Sequence, residues 1–304
     1  MPAAQGKILV IRGGAIGDFL LTLPVCAALR RQFPRARLEV LGYPHIAQLA
    51  LLGGLAHAVR SIDARPLAGF FARRGALDPA LREYFSSFNL IISYLYDPDG
   101  IFHDNVARCS KAQFIAGPHR PRAQDGLHAT EAFLQPLQRL AIFDADPVPC
   151  LPAPAGEPDT DLLALHPGSG SERKNWPEPK WAELLQHLAH RTTRKLLLVG
   201  GESEENRLER LAAGLPGARC ELARSLPLVE LARRLGGCRA FVGHDSGITH
   251  LAAALGLPVL VLWGDTDEAL WRPRGPQTMI LRHPQGLPAL PVEHVFEQIA
   301  RMIQ

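Results

Sequence analysis

Long apolar runs are what this 304-residue chain most clearly lacks. Its longest, such as Pro258–Trp263, fall far short of the roughly 20 residues that span a bilayer, so no transmembrane helix is expected. The N-terminus, MPAAQGKILVIR, offers no basic start, apolar core and small-residue cleavage site, so no secretory signal is expected either. Cysteine is sparse. Cys26, Cys109, Cys150, Cys220 and Cys238 are scattered, odd in number and without a CxxC pair. That argues against a disulfide frame or zinc site and for a reducing compartment. A cytoplasmic protein without a bound metal is the expectation. Charge is modest too, at 21% of residues with a net +3 against 47% hydrophobic, the balance of a globular protein long enough for two cored domains. No nucleic-acid partner is expected.

The small positive excess is uneven. Residues 1–150 carry 16 Lys+Arg against 12 Asp+Glu, and residues 151–304 carry 17 against 18. Arg60, Arg65, Arg73, Arg74, Arg120 and Arg122 belong to the basic half. They read either as solvated helix faces or as contacts for an anionic partner.

Between Asp144 and Thr160 the sequence DADPVPCLPAPAGEPDT places prolines at 147, 149, 152, 154 and 158. Proline fixes its own φ and biases its predecessor to extended conformations, so this segment reads as a semi-rigid linker. It divides the chain into domains of residues 1–150 and 151–304. On both sides, apolar runs alternate with helix patterns. Strands are predicted at Lys7–Arg12, Arg37–Leu41 and Leu90–Leu95, with helices at Asp18–Phe33, His45–Leu52, Leu77–Phe88 and Leu127–Leu140. Beyond the linker, strands are predicted at Leu162–His166, Lys195–Val199, Ala240–Gly243, Val259–Trp263 and Met279–Arg282. Helices there cover Pro179–His190, Ser203–Ala213, Leu228–Leu235 and Ser246–Leu255. Strands buried on both faces and alternating with helices predict an α/β fold of two Rossmann-like, doubly wound parallel sheets. A last amphipathic helix, about 292–304, is free by pattern to pack on its own domain or back across the first.

Three loops carry candidate chemistry. After the first strand comes Gly13-Gly14-Ala15-Ile16-Gly17-Asp18. Its GGxxG spacing is not the dinucleotide fingerprint, and a carboxylate at a helix start would repel a docked pyrophosphate, so no nicotinamide cofactor is expected. Asp18 reads either as a helix N-cap or as a general base beside glycines that let a substrate approach. The second loop is His166-Pro167-Gly168-Ser169-Gly170-Ser171-Glu172-Arg173-Lys174. Backbone amides and hydroxyls at Ser169, Gly170 and Ser171 suit an anion, with Lys174 as either a phosphate contact or a solvent lysine. In the third loop Asp245-Ser246-Gly247-Ile248 opens a helix, and the first amides of a helix, at its positive end, bind phosphate. His166, His244 and His250 lack metal-pair spacing and read as packing or hydrogen-bonding histidines. Ser246 is not in a GxSxG elbow and is no nucleophile candidate.

GGAIGDFLLTLP (Gly13–Pro24), HPGSGSERKNWPEPKW (His166–Trp181) and VGHDSGITHLAAALGLPVLVLWG (Val242–Gly264) together resemble glycosyltransferase family 9, the ADP-heptose:lipopolysaccharide heptosyltransferases. The resemblance implies a GT-B fold whose two Rossmann-like domains face an interdomain cleft, the first binding acceptor and the second the nucleotide sugar. It implies Asp18 as catalytic base, Lys174 at the donor phosphates, Asp245 at the transferred sugar and Glu204 at the nucleoside. The implied reaction is an inverting displacement from an ADP-heptose donor, with no further cofactor. The implied acceptor is an anionic glycolipid such as lipopolysaccharide core, met by Gly14, Arg60, Arg120 and Arg122. Peripheral contact of Ala64–Phe88 with the inner membrane surface goes with that acceptor. A different nucleotide sugar, an epimerase and a non-catalytic binding protein stay open as alternatives.

Overall fold

Two units, Met1–Pro149 and Cys150–Gln304, make up the chain, and the computed structural model describes residues 6–152 and 159–303 of them. Pro154 and Pro158 of the proline-rich segment lie outside the described residues.

In the first unit β1 (Lys7–Arg12), β2 (Arg37–Gly42), β3 (Ala58–Ser61), β4 (Leu90–Ser93) and β5 (Gln113–Ala116) form one parallel sheet, ordered β3-β2-β1-β4-β5. The central strands are buried residue after residue, as strands covered by helices on both faces must be. The covering helices are α1 (Ile16–Leu20), α2 (Leu23–Gln32), α3 (Pro44–Leu52), α4 (Pro79–Ser86), α5 (Ile101–Ala107) and α6 (Ala129–Leu134). The chain winds outward from β1 to β3, then returns to lay β4 on the other side of β1. The order therefore reverses between β1 and β4, and open α/β sheets place ligands outside the carboxyl ends of the strands at such a reversal.

Prolines revise two of the expected helices. The single helix expected over Asp18–Phe33 is broken at Leu21–Thr22, and α2 restarts with Pro24 in its first turn, where a missing N–H costs nothing. The helix expected over Leu127–Leu140 is α6 followed by a 3-10 turn over Gln135–Leu140 with Pro136 at its start.

The second unit repeats the plan with β6 (Asp159–Leu165), β7 (Lys195–Gly200), β8 (Cys220–Arg224), β9 (Cys238–His244), β10 (Val259–Leu262) and β11 (Thr278–Leu281), all parallel and ordered β11-β10-β9-β6-β7-β8. Its reversal lies between β6 and β9. Helices α7 (Glu178–Arg191), α8 (Glu205–Ala213), α9 (Leu228–Gly236), α10 (Gly247–Ala254), α11 (Glu268–Trp271) and α12 (Val292–Met302) connect and cover the strands. The closing helix α12 packs on α7 within this unit. Its buried Val292, Val295, Phe296 and Ile299 recur at i, i+3, i+4 and i+7 and meet a core that includes Trp181, Leu184, Leu185 and Leu188 of α7. Each such side chain contributes roughly 1.5–3 kcal/mol by leaving water. Arg191 of α7 lies 4.0 Å over the Phe296 ring and 2.7 Å from Glu293. No helix among the described residues is long and apolar enough to cross a membrane.

Candidate functional site

At the first unit's reversal, β1 ends in Arg12 and the chain turns through Gly13 and Gly14 into α1. Gly14 has φ +98°, and a Cβ there would stand 2.8 Å from Oδ2 of Asp18, so only glycine fits both the backbone and the neighbour. Asp18 is the third residue of α1, not its N-cap. Ala15 holds the cap position, and its N–H donates to Asp18 Oδ2 at 3.1 Å. The other carboxylate oxygen faces Nη2 of Arg12 at 3.4 Å. Arg12 is buried to 3% exposure; it donates from Nη1 to the His119 carbonyl at 2.8 Å and lies 4.5 Å over the Phe133 ring. Burial pulls its guanidinium below the ordinary value, with the Asp18 carboxylate opposing that shift.

Asp18 and Gly14 line a cavity of about 420 Å³ whose walls also include Tyr43, Tyr96, His119 and Arg120. The Tyr96 ring is 4.6 Å from that of His119, whose imidazole is pushed down by desolvation and by Arg120 and Arg12. Two carboxylates, Asp18 and Asp63, with cationic groups and aromatic rims suit a hydroxyl-bearing anionic ligand. Of the other two arginines read from the sequence as acceptor contacts, neither lines this cavity. Arg60 lies 4.2 Å over the Tyr84 ring, and Arg122 pairs with Asp125 at 3.2 Å. In the 64–88 segment Phe70, Tyr84, Phe85 and Phe88 belong to the core, and Phe71 is exposed.

At the second unit's reversal, the loops after β6 and β9 meet. Lys174, from the 3-10 turn Glu172–Lys174, places Nζ 2.5 Å from Oδ2 of Asp245. The cap of α10 is Ser246, whose Oγ accepts from Thr249 N–H; that leaves the Asp245 carboxylate to Lys174. Gly247 and Ile248 open α10. Ser169 and Ser171 bind each other, Ser169 Oγ donating to the Ser171 carbonyl at 2.9 Å and accepting from its N–H at 3.3 Å, with exposed Gly170 between them. Glu204 is buried against the loop's root. It accepts from Gly201 N–H at 2.9 Å, and a Cβ on Gly168 would fall 2.3 Å from its Cγ.

His244 is a hydrogen-bonding histidine, one of the two readings its sequence left open, whereas the holding roles of Arg12 and Arg207 have no sequence signal. Arg207 binds Glu172 with 2.8 and 2.9 Å contacts and the Pro167 carbonyl at 3.3 Å, which ties α8 to the loop. His166 and His244 are both buried, and burial pushes their imidazoles to about 4 and about 3. They are neutral near pH 7. Among the described residues no three His, Cys, Asp or Glu side chains gather as metal ligands.

Residues 131–299 match the model of a family described as glycosyltransferase family 9 (heptosyltransferase). The chain is 35% identical over 153 residues to lipopolysaccharide heptosyltransferase 1 of Escherichia coli K12, a match covering 50% of this chain and 46% of that protein. The matched stretch therefore spans less than half of that relative. The fold is similar to the glycosyl transferase family 9 structure from Veillonella parvula, with TM-score 0.78, 16% identity, and 100% of this chain and 98% of that one covered. It is also similar to the E. coli heptosyltransferase WaaC with ADP, with TM-score 0.76, 22% identity, and 97% and 99% covered.

Proposed function

The chain belongs to glycosyltransferase family 9, the heptosyltransferase family, and on that premise we propose that it transfers a heptose from an ADP-heptose-type donor to a hydroxyl of an anionic lipopolysaccharide-core or related glycan acceptor. The observation that carries this reading is the division of charged groups between the two sheet reversals. A carboxylate stands in the first unit's cavity, and a lysine with its aspartate stands beside a helix start in the second.

Asp18 is assigned the acceptor hydroxyl. A hydroxyl is a poor nucleophile until a base takes its proton as the new bond forms, and a positioned carboxylate contributes typically 10²–10⁴-fold. As the acceptor oxygen bonds to the sugar's anomeric carbon, the bond from that carbon to the phosphate oxygen breaks and the nucleoside diphosphate leaves with the electron pair. One displacement inverts the anomeric centre. Lys174 and the first amides of α10 are assigned the charge that develops on the departing phosphate, commonly the largest single catalytic effect. Asp245 and Glu204 are assigned the sugar and the nucleoside. The cavity's Arg120 is assigned an anionic group of the acceptor. The same reading puts the enzyme in the cytoplasm, with the exposed Arg65, Phe71, Arg73 and Arg74 at the membrane surface that presents the acceptor.

The test is Asp18→Asn, assayed for transfer from ADP-heptose to a heptose-deficient lipopolysaccharide core. The expected loss is at least a hundredfold in kcat with unchanged folding. Near-normal turnover overturns the assignment of the base.

A further inference from the structure

We propose that His244 is a positioning residue of the donor loop: its imidazole ties both roots of that loop, Gly168 and Trp176, to the end of β9 and so fixes where Lys174 stands. The inference rests on the donor-site reading above, because it concerns the loop that carries Lys174.

His244 is the last residue of β9 and is fully buried. Trp176 N–H reaches its Nε2 at 2.9 Å, and its Nδ1 lies 3.2 Å from the Gly168 carbonyl. A backbone amide only donates, so Nε2 presents its lone pair. A carbonyl only accepts, so Nδ1 carries the proton. A single neutral tautomer satisfies both partners at once.

The partners bracket the loop. Between them run Ser169 to Asn175, with Lys174 among them. The ring is held from the side as well, with Trp181 at 5.4 Å in an edge contact and Trp181 in turn 5.6 Å from Trp176. Trp176 Nε1 donates to the Leu290 carbonyl at 3.2 Å, which anchors that root from its far side. On the main chain, the His244 carbonyl accepts from Thr249 Oγ1 at 2.5 Å, in the first turn of α10. Asp245 follows directly in sequence. One residue thus fixes the loop, the helix start and the aspartate that pairs with Lys174.

Histidine suits this post because it offers one acceptor and one donor on opposite sides of a rigid ring. An apolar residue of the same shape leaves a buried N–H and a buried carbonyl without partners, a penalty that falls on the loop roots. Asparagine places an amide donor near the Nδ1 position and glutamine an acceptor near the Nε2 position. The two substitutions therefore separate the two ties.

The experiment compares His244→Phe, which keeps the ring packing, with His244→Asn and His244→Gln in the full chain. It measures amide hydrogen exchange over residues 166–177, ADP binding by calorimetry, and KM for donor and acceptor separately. For His244→Phe we expect loop exchange at least tenfold faster, ADP binding and donor KM at least tenfold weaker, and acceptor KM unchanged. The Asn and Gln variants should fall between it and the native chain. Unchanged loop exchange in folded variants overturns the tie. Faster exchange with native ADP affinity and donor KM overturns the positioning role and leaves only packing. If His244→Phe does not fold, the same outcomes are read from Asn and Gln. Failure of the native chain to bind ADP instead overturns the donor reading, and loop exchange still tests the tie.

Discussion

Lys174 and Asp245, 71 residues apart in sequence, meet at 2.5 Å where the loops after β6 and β9 converge. The pair is unequal, with the lysine side chain 40% exposed and the aspartate 10%. A partly exposed ion pair is worth about 0–1 kcal/mol, so a diphosphate, with more charge than one carboxylate, can displace Asp245 from the lysine. On the proposed donor reading, arrival of the phosphates releases Asp245 for the sugar.

A reversal of sign follows for one substitution. Asp245→Asn removes the competitor for Lys174, so binding of ADP alone is expected to hold or tighten several-fold while sugar transfer falls at least tenfold. Lys174→Met is expected to weaken ADP binding at least tenfold. Calorimetry with ADP checks both. Equal weakening by the two variants counts against the exchange of partners.

Gly14→Ala tests how tightly Asp18 is held. The position has φ +98° and a Cβ would stand 2.8 Å from Asp18 Oδ2. The backbone alone costs about 1–2 kcal/mol for an L-residue, and the carboxylate must move as well. Expected are a melting point lower by several degrees and a kcat lower by tenfold or more. Gly217→Ala is the control, because nothing lies within 4 Å of a Cβ there and its φ is not positive. Native kcat in Gly14→Ala would show that the carboxylate position is not critical.

What the sequence made legible were the features that local chemistry writes into one segment. The central strands carry apolar runs, and the glycine- and serine-bearing loops follow them directly, so the loops at both reversals could be read. The edge strands Ala58–Ser61, Gln113–Ala116 and Cys220–Arg224 could not. They are short and half exposed, and their pairing comes from a neighbouring strand rather than from a pattern of their own. Contacts between distant segments were equally hidden. Arg12 looks like the polar end of a strand until its partners His119 and Asp18 are seen, and no local pattern shows Arg60 stacked on Tyr84.

Position also separates the arginines. Arg120 lines the cavity beside Asp18, whereas Arg60 lies over Tyr84 and Arg122 pairs with Asp125. Arg120→Ala is expected to raise acceptor KM at least fivefold and to weaken its dependence on salt. Arg60→Ala and Arg122→Ala should each change it less than twofold. A larger effect from Arg60 than from Arg120 places the acceptor elsewhere.

Two of the second unit's buried histidines, His166 and His244, give it an acid-side weakness. His166 is pushed to about 4 and His244 to about 3, in both cases chiefly by burial. For His166, Glu204 opposes the shift and Arg207 adds to it. For His244, the Gly168 carbonyl opposes it and His166 and Arg207 add to it. In the unfolded chain both titrate near 6.5. Between those values the unfolded state binds more protons than the folded one, so stability rises with pH across the window and is full above about 6.5. At pH 5 the loss is about 2 kcal/mol for each histidine relative to that plateau. Denaturant titrations of the second unit's transition from pH 7.5 to 4.5 should show this slope, and His244→Asn should reduce it by one proton's worth. A flat profile over that range would mean that both histidines take up protons near 6.5 in the folded chain as they do in the unfolded one, which is incompatible with Nε2 of His244 still accepting from Trp176 N–H at pH 5.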